Sequence, residues 1–263
     1  MKIARVAMIG DVVGDDGLEA LEAGLPPLVK EQNIDFVTVN GENAAEGFGL
    51  SQASLKRILA AGADIVTSGN HVWEKRDFWP YLQAKKQILR PANYPPNSPG
   101  AGWAKLEKDG LNWLVINLQG REFMSLIDCP FSTFDNIMED AGGGAGRLVL
   151  VDFHAESTRE KEALAYYLDG RAAVIAGTHT HVQTADERVL PKGSAYITDL
   201  GMSGNTDSVI GMDPEICLAR MRKQVLYKME CAQKSEKAEI QGIIAELDAG
   251  TGKALSIRRI NCA

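Results

Sequence analysis

The segment RAAVIAGTHTH (residues 171–181) runs from an apolar stretch directly into two histidines, His179 and His181. Its apolar part has the length and the continuous hydrophobicity of a buried strand. The chain has only four histidines, so half of them lie in this one motif. Two imidazoles at positions i and i+2 point to the same side of an extended backbone, which favours a pair of ligands.

Further apolar runs of the same kind end in polar or glycine residues. They are IARVAMIG (3–10), IDFVTVNG (34–41), ADIVTSGN (63–70), LNWLVINLQG (111–120) and RLVLVDFH (147–154). Helical patterns with a capping Ser or Thr at the start and a Gly at the end lie between several of them, at 51–63 and 157–170. This alternation predicts an α/β fold.

The C-terminal part of the chain has a different pattern. The turn DAGTGK (residues 248–253) separates two alternating runs within residues 238–260, which is typical of a β-hairpin. A hairpin beside crossover units predicts mixed sheets, or two sheets packed together.

Size and charge restrict the class of protein. The chain has 263 residues, of which 45% are hydrophobic and 24% are charged, the ordinary globular balance for one large or two small domains. The net charge of −7 argues against a cationic surface for nucleic acid. No run approaches the roughly 18 apolar residues of a membrane span. The four cysteines are scattered without a CxxC pair, so we expect reduced thiols in a cytoplasmic protein.

Residues with metal-ligand chemistry follow the ends of the predicted strands. They are Asp11, Glu42, Asn43, Asn70, His71, His154, His179 and His181. Since strand ends in α/β folds meet at one crevice, we expect these side chains to converge. Mixed imidazole and oxygen donors suit Fe, Mn, Zn or Co. This joint pattern favours a metal site over the alternatives for single residues, which are an Asn-stabilised turn, a core histidine or a dinucleotide loop at GDVVGDDG (10–17).

The order of these motifs resembles the calcineurin-like metallophosphoesterase superfamily. The shared motifs are Asp11, NGEN (40–43), GNH (69–71), a lone His154 and GTHTH (177–181). Longer strings, among them GENAAEGFGL (41–50), RPANYPP (90–96) and INLQGR (116–121), are similar to YmdB-type bacterial metallophosphoesterases over essentially the full length. The resemblance implies one domain over residues 1–263, built from two packed mixed β-sheets flanked by helices. Residues 72–104 could form a small lid or surface excursion.

The sequence departs from the general superfamily pattern at three places. Val12 and Val13 follow Asp11, so the histidine of the first motif is missing; Glu42 takes the bridging position with Asn43 beside it; and Val72 follows the GNH motif in place of an acid. The first two departures recur in the YmdB-type subgroup and therefore support that placement.

The resemblance implies a dinuclear centre, with iron or manganese as the expected metal and zinc as the alternative. The carboxylate of Glu42 would bridge the two ions. The protein shell of the first ion would be completed by Asp11, Asn43 and His181. The shell of the second would be completed by Asn70, His154 and His179. We expect Asp152 or Glu156 to orient His154, and Thr178 or Thr180 to position the histidine pair, because metal-bound histidines usually have such partners.

The implied activity is hydrolysis of cyclic nucleotides such as 2′,3′-cAMP. A metal-activated hydroxide would attack phosphorus, and His71 would act as the general acid on the leaving alkoxide rather than as a ligand. The resemblance also implies a homo-oligomer. A phosphomonoesterase, a nuclease, or a regulatory or RNA-associated protein with incidental hydrolysis remain as alternatives.

Overall fold

Strands and helices alternate along most of the chain. The computed structural model describes residues 2–144, 146–234 and 237–262. The strands are β1 (Ile3–Ile9), β2 (Asp11–Val12), β3 (Phe36–Asn40), β4 (Ile65–Thr67), β5 (Trp103–Lys108), β6 (Leu111–Gln119), β7 (Leu148–His154), β8 (Val174–Thr178), β9 (Arg188–Val189), β10 (Ala195–Ile197), β11 (Met202–Asn205), β12 (Ala238–Asp248) and β13 (Ala254–Cys262). The helices are α1 (Gly14–Gln32), α2 (Gln52–Ala60), α3 (Trp79–Ala84), α4 (Pro130–Asp140), α5 (Thr158–Leu168) and α6 (Pro214–Lys223).

The strands form two sheets. The first has the order β2-β11-β12-β1-β3-β4, with β13 paired to β12 as the predicted hairpin. The second has the order β5-β6-β7-β8-β10-β9. Strands β1, β3 and β4 are parallel, as are β6, β7, β8 and β10, whereas β12 and β5 pair with their neighbours in the antiparallel sense. Both sheets are therefore mixed, as predicted.

The two sheets pack face to face through apolar side chains. Phe36 of β3 stacks on Trp113 of β6 with 4.5 Å between ring centroids, and both rings are buried. The outer face of the first sheet packs against α1 and α2, and that of the second sheet packs against α4 and α5. The order of layers is helix, sheet, sheet, helix, which confirms the predicted fold class.

Helices α2 and α5 begin at the predicted serine caps. The Ser51 hydroxyl accepts from the backbone N–H of Ser54, whose own hydroxyl completes a capping box. The Ser157 hydroxyl accepts from the backbone N–H of Glu160 at the start of α5. Each cap satisfies backbone donors that a helix start leaves unpaired, so both helices begin directly after the loops that follow β3 and β7.

The segment after β4 packs into the fold. Two 3-10 turns (Asn70–Trp73 and Arg76–Phe78) lead into α3. Val72, Phe78 and Leu82 are buried in the core between the first sheet and helices α1 and α2. A lid role for residues 72–104 and the single-domain range 1–263 stay predictions; the ends of that range, residues 1 and 263, lie outside the described residues. Across the described ranges, no helix combines the length and apolarity needed to cross a membrane.

We predict that Phe36→Ala lowers the free energy of unfolding by about 3–5 kcal/mol, because it removes the ring that fills the space between the sheets. Chemical denaturation measures the change. Phe123→Ala is the matched control, since its side chain is 84% exposed and should change stability by no more than about 0.5 kcal/mol. Equal effects of the two substitutions would contradict this account of the core.

Candidate metal centre

The eight predicted site residues lie at the carboxyl ends of strands from both sheets. Asp11 lies just after the end of β1, where β2 begins, and His154 ends β7. The others lie in the turns directly after β3, β4 and β8. Asp11, Glu42 and His154 are completely buried. The structure therefore brings the predicted residues to one crevice, where the two sheets meet.

Hydrogen bonds beneath His154 determine which of its ring nitrogens faces the crevice. The Thr178 hydroxyl donates its only hydrogen to Asp152 Oδ1 at 2.7 Å. Thr178 Oγ1 must therefore accept the 3.0 Å bond from His154 Nδ1. The other carboxylate oxygen of Asp152 accepts from Asn40 Nδ2 at 3.0 Å and from the Thr67 hydroxyl. Asp152 thus orients His154 through Thr178, and His154 Nε2 points into the crevice.

The other two imidazoles are oriented in the same manner. His179 Nε2 lies 3.2 Å from Glu156 Oε2, which leaves Nδ1 facing inward. His181 Nδ1 donates to the backbone carbonyl of Ile210 at 2.8 Å, which leaves Nε2 facing inward. An outward hydrogen bond from the second ring nitrogen is the usual arrangement of metal-bound histidines.

Lone pairs converge on the inner nitrogen of His154. Glu42 Oε1 lies 2.9 Å, His179 Nδ1 3.0 Å and Asn70 Oδ1 3.1 Å from His154 Nε2. Ligand atoms of Glu42, His154 and His179 all lie within 4.8 Å of one another. Since His154 Nε2 can supply at most one hydrogen, only one of the three contacts can be its hydrogen bond. These atoms therefore suit binding of a shared cation better than hydrogen bonding among themselves.

A second group of ligand-type atoms also lies beside Glu42. Asn43 Nδ2 is 3.4 Å from Glu42 Oε1 and 2.9 Å from His181 Nε2. Asp11 Oδ2 accepts from the backbone N–H of His179 at 3.1 Å, while Asp11 Oδ1 is buried without a hydrogen-bond partner. Burying an unpaired carboxylate oxygen is costly, so this atom also fits a cation. Ligation by the Asn43 oxygen would require its amide to rotate by 180°.

The histidine pair lies in a turn with left-handed backbone and not in an extended strand. Strand β8 ends at Thr178, and the φ angles of His179 and His181 are 102° and 65°. The expectation that both imidazoles share one face of a strand is therefore wrong, because left-handed backbone turns present them separately. The carboxylate of Asp199 holds this turn by accepting from Thr180 N at 3.2 Å and from Lys161 Nζ at 2.7 Å, in a buried ion pair.

The ionisation of the centre reflects its concentration of carboxylates. Burial raises the pKa of Asp11 to about 7. Burial alone would raise the pKa of Glu42, but the charge and hydrogen bond of His154 outweigh it and lower the pKa to about 2. Burial opposes the charged form of His154 too, yet Glu42 and Asp11 raise its pKa to about 9. Burial and the charge of His154 lower the pKa of His179 to about 3. The carboxylates thus attract a cation, and His179 stays in the neutral form that ligates.

His71 lies at the edge of the centre and not among the converging atoms. Its backbone N–H donates to Glu42 Oε2 at 3.1 Å, and its Nδ1 is 3.4 Å from Glu74 Oε1. The ring packs edge-on against Phe48, with 5.1 Å between centroids, and the side chain is 27% exposed. His71 Nε2 is consequently the ring nitrogen that can meet a substrate.

Several groups that hold the site are not among the predicted site residues. Asn40 lies in the NGEN motif and Thr67 in the predicted strand ADIVTSGN, and their polar side chains at strand ends are a usable signal. Asp199 lies within the short run AYITDLG (195–201), just after the strand Ala195–Ile197, and offers the same signal. Lys161 and Ile210 gave no signal, because one resembles an ordinary helix-surface lysine and the other acts through its backbone.

Solved structures share this architecture. A hypothetical protein from Thermus thermophilus is 40% identical, with a TM-score of 0.89 and coverage of 98% of both chains. A novel phosphatase from Mycoplasma pneumoniae is 33% identical, with a TM-score of 0.92 and coverage of 99% of this chain and 94% of that one. Together with the crevice geometry, these similarities define a metallophosphoesterase of the calcineurin-like class.

The particular family follows from the sequence. The family model described as YmdB-like protein matches residues 7–260. The 2′,3′-cyclic-nucleotide 2′-phosphodiesterase of Bacillus subtilis (strain 168) is 41% identical over 256 residues, which are 97% of this chain and 96% of that protein. The chain belongs to the YmdB-like family, which confirms the resemblance.

We predict that Thr178→Val weakens metal binding about 10- to 100-fold, because it breaks the chain of hydrogen bonds that fixes the His154 tautomer. Metal affinity measured by chelator competition tests this. Thr133→Val, on the outer helix α4, is the matched control and should bind metal as the unsubstituted protein does. Unchanged affinity in Thr178→Val would show that His154 is oriented without Asp152.

We also predict that Gly69→Ala lowers metal content, because an added Cβ would collide with the His154 ring and the Glu42 carboxylate. Metal analysis of the purified variant measures the loss. Gly250→Ala, where an added Cβ meets only Asp248 Oδ1 at 3.4 Å, serves as the control. Full metal content in Gly69→Ala would mean that the site tolerates displacement of both side chains.

Proposed function

We propose that this protein is a metal-dependent phosphodiesterase that hydrolyses 2′,3′-cyclic nucleotides. The observation that carries the proposal is the convergence of Glu42, Asn70 and His179 on the inner nitrogen of His154. The 41% identity with the Bacillus subtilis 2′,3′-cyclic-nucleotide 2′-phosphodiesterase supports the choice of substrate.

Two ions would be held at this centre, and Glu42 would contribute to both sites. Asp11, Asn43 and His181 would hold the first, and Asn70, His154 and His179 the second. When bound, the ions supply Lewis acidity that activates water and neutralises phosphoryl oxygens. With Glu42, the first ion would have three oxygen-bearing side chains, which favours manganese or iron, with zinc as the alternative.

The residues of the chain orient the site and move the proton. Thr178, Glu156 and Ile210 hold the three imidazoles by their outer nitrogens. His71 donates a proton from Nε2 to the leaving oxygen of the ribose, a role suited to imidazole. Water oxygen forms the new bond to phosphorus as the bond to the 2′ oxygen breaks, and a 3′-monophosphate results.

A phosphomonoesterase is the second candidate, and the 33% identity with the Mycoplasma pneumoniae phosphatase favours it. Both reactions would use the same centre and both release an alkoxide, so the kind of ester that is accepted distinguishes them. The comparison of 2′,3′-cAMP, 3′,5′-cAMP, bis-p-nitrophenyl phosphate and p-nitrophenyl phosphate separates them. A metal-loaded protein that hydrolyses none of these diesters would contradict the proposed function and would favour a regulatory or RNA-associated role.

Assembly and location are part of the proposal. A homo-oligomer in the cytoplasm is consistent with the family resemblance and with four cysteines that form no disulfide. The net charge of −7 argues against RNA as a direct partner.

We predict that His71→Ala keeps its metal and loses about 10²- to 10⁴-fold in kcat on 2′,3′-cAMP, because the leaving oxygen loses its proton donor. Metal analysis and steady-state kinetics on the same sample test this. Glu42→Ala is the contrasting variant and should lose metal together with activity. Loss of metal in His71→Ala would make this residue a ligand, and full activity would remove it from the mechanism.

A further inference from the structure

A cavity of about 570 Å³ adjoins the metal centre without including its predicted ligands. Part of its wall comes from segments that carry site residues. Val13 lies two residues after Asp11, and Gly211 directly follows Ile210, the partner of His181. Phe48 lines the same cavity and packs against His71. A molecule whose phosphate lies at the centre could therefore extend into this space.

The loop after β3 holds Phe48 at the edge of this cavity. Ala45 N donates to the Gly49 carbonyl, and Phe48 N donates to the Ala45 carbonyl, at 3.0 and 3.1 Å. Glu46, Gly47 and Gly49 all have left-handed backbone, with φ angles of 58°, 86° and 80°. Such a tight turn leaves the aromatic ring half-buried and restricted in position, which is a suitable surface for a planar group.

The position of Phe48 matches the position of a nucleobase. His71 is the proposed proton donor to the 2′ oxygen of the ribose, and its ring lies 5.1 Å from that of Phe48. The base of a nucleoside is attached to the carbon next to the one that carries the 2′ oxygen. A ribose beside His71 therefore places its base near Phe48, where every base offers a face for stacking.

The charges of the cavity favour a neutral group over a second phosphate. Five carboxylates and three lysines line it among the described residues, for a net charge of −2. Two of these lysines pair with carboxylates of the same lining, Lys75 with Glu46 at 2.8 Å and Lys234 with Glu19 at 2.6 Å. The potential thus disfavours an additional anion, while a nucleoside carries no charge beyond its reacting phosphate.

We propose that this cavity is the nucleobase subsite and that Phe48 is its stacking surface, so that the enzyme selects cyclic phosphates that carry a base. This inference rests on the proposed function. It assigns Phe48 to substrate binding and specificity, not to the chemical step.

The experiment compares two diesters, 2′,3′-cAMP and methyl β-D-ribofuranoside 2,3-cyclic phosphate, which lacks a base. We expect the unsubstituted protein to prefer 2′,3′-cAMP. Phe48→Ala should raise the KM for 2′,3′-cAMP about 10-fold or more with little change in kcat. The KM for the base-free diester should not change. Phe48→Tyr should retain the preference, and Phe123→Ala is the control, since it removes an equal but exposed ring.

Three outcomes would overturn the inference. These are no preference for 2′,3′-cAMP in the unsubstituted protein, equal KM changes on both diesters, and a fall in kcat on both, which would mean that Phe48 supports His71. If the metal-loaded protein hydrolyses neither diester, the proposed function fails. Calorimetry with 3′-AMP and ribose 3-phosphate then decides the subsite separately: tighter binding of 3′-AMP that Phe48→Ala abolishes supports it, and equal binding overturns it.

Discussion

The buried carboxylate of Asp152 is the constraint on which the centre depends. It lies on β7 of the second sheet, yet it accepts hydrogen bonds from Asn40 and Thr67 at the ends of β3 and β4 in the first. Thr178 adds a third donor from β8. Burial raises the pKa of Asp152, and these donors oppose that rise by stabilising its charged form. One side chain thus joins the ends of four strands and fixes the two sheets relative to each other.

A crevice formed between two sheets requires this kind of connection. Glu42 and Asn70 belong to the first sheet, and His154 and His179 to the second, so a small sliding of the sheets would separate them. The buried pair of Lys161 and Asp199 performs a similar task for the turn that carries the histidines. The residues that would hold metal lie mostly in turns, and these buried polar contacts give the turns the rigidity of the strands beneath them.

Much of this arrangement was predictable, because hydrophobic runs, serine caps and a glycine turn act locally. The strand ends and the eight candidate site residues beside them follow from such signals. The start of α1 does not, because α1 begins after Val13 without a side-chain cap. Helices α4 and α6 begin with proline, and Asp213 caps α6, so these two starts do carry local signals. The left-handed turn at His179 depends on contacts with residues distant in sequence, such as Asp11, and local patterns carry no information about those.

The partner of His181 has a consequence for how this family can diverge. The group that orients this imidazole is the main-chain carbonyl of Ile210, whose own φ angle is 52°. Every amino acid has that carbonyl, so side-chain replacements in the segment between β11 and α6 can accumulate without deleting it. An insertion or deletion would displace it at once. The length of this segment should therefore be preserved more strictly among homologues than its composition.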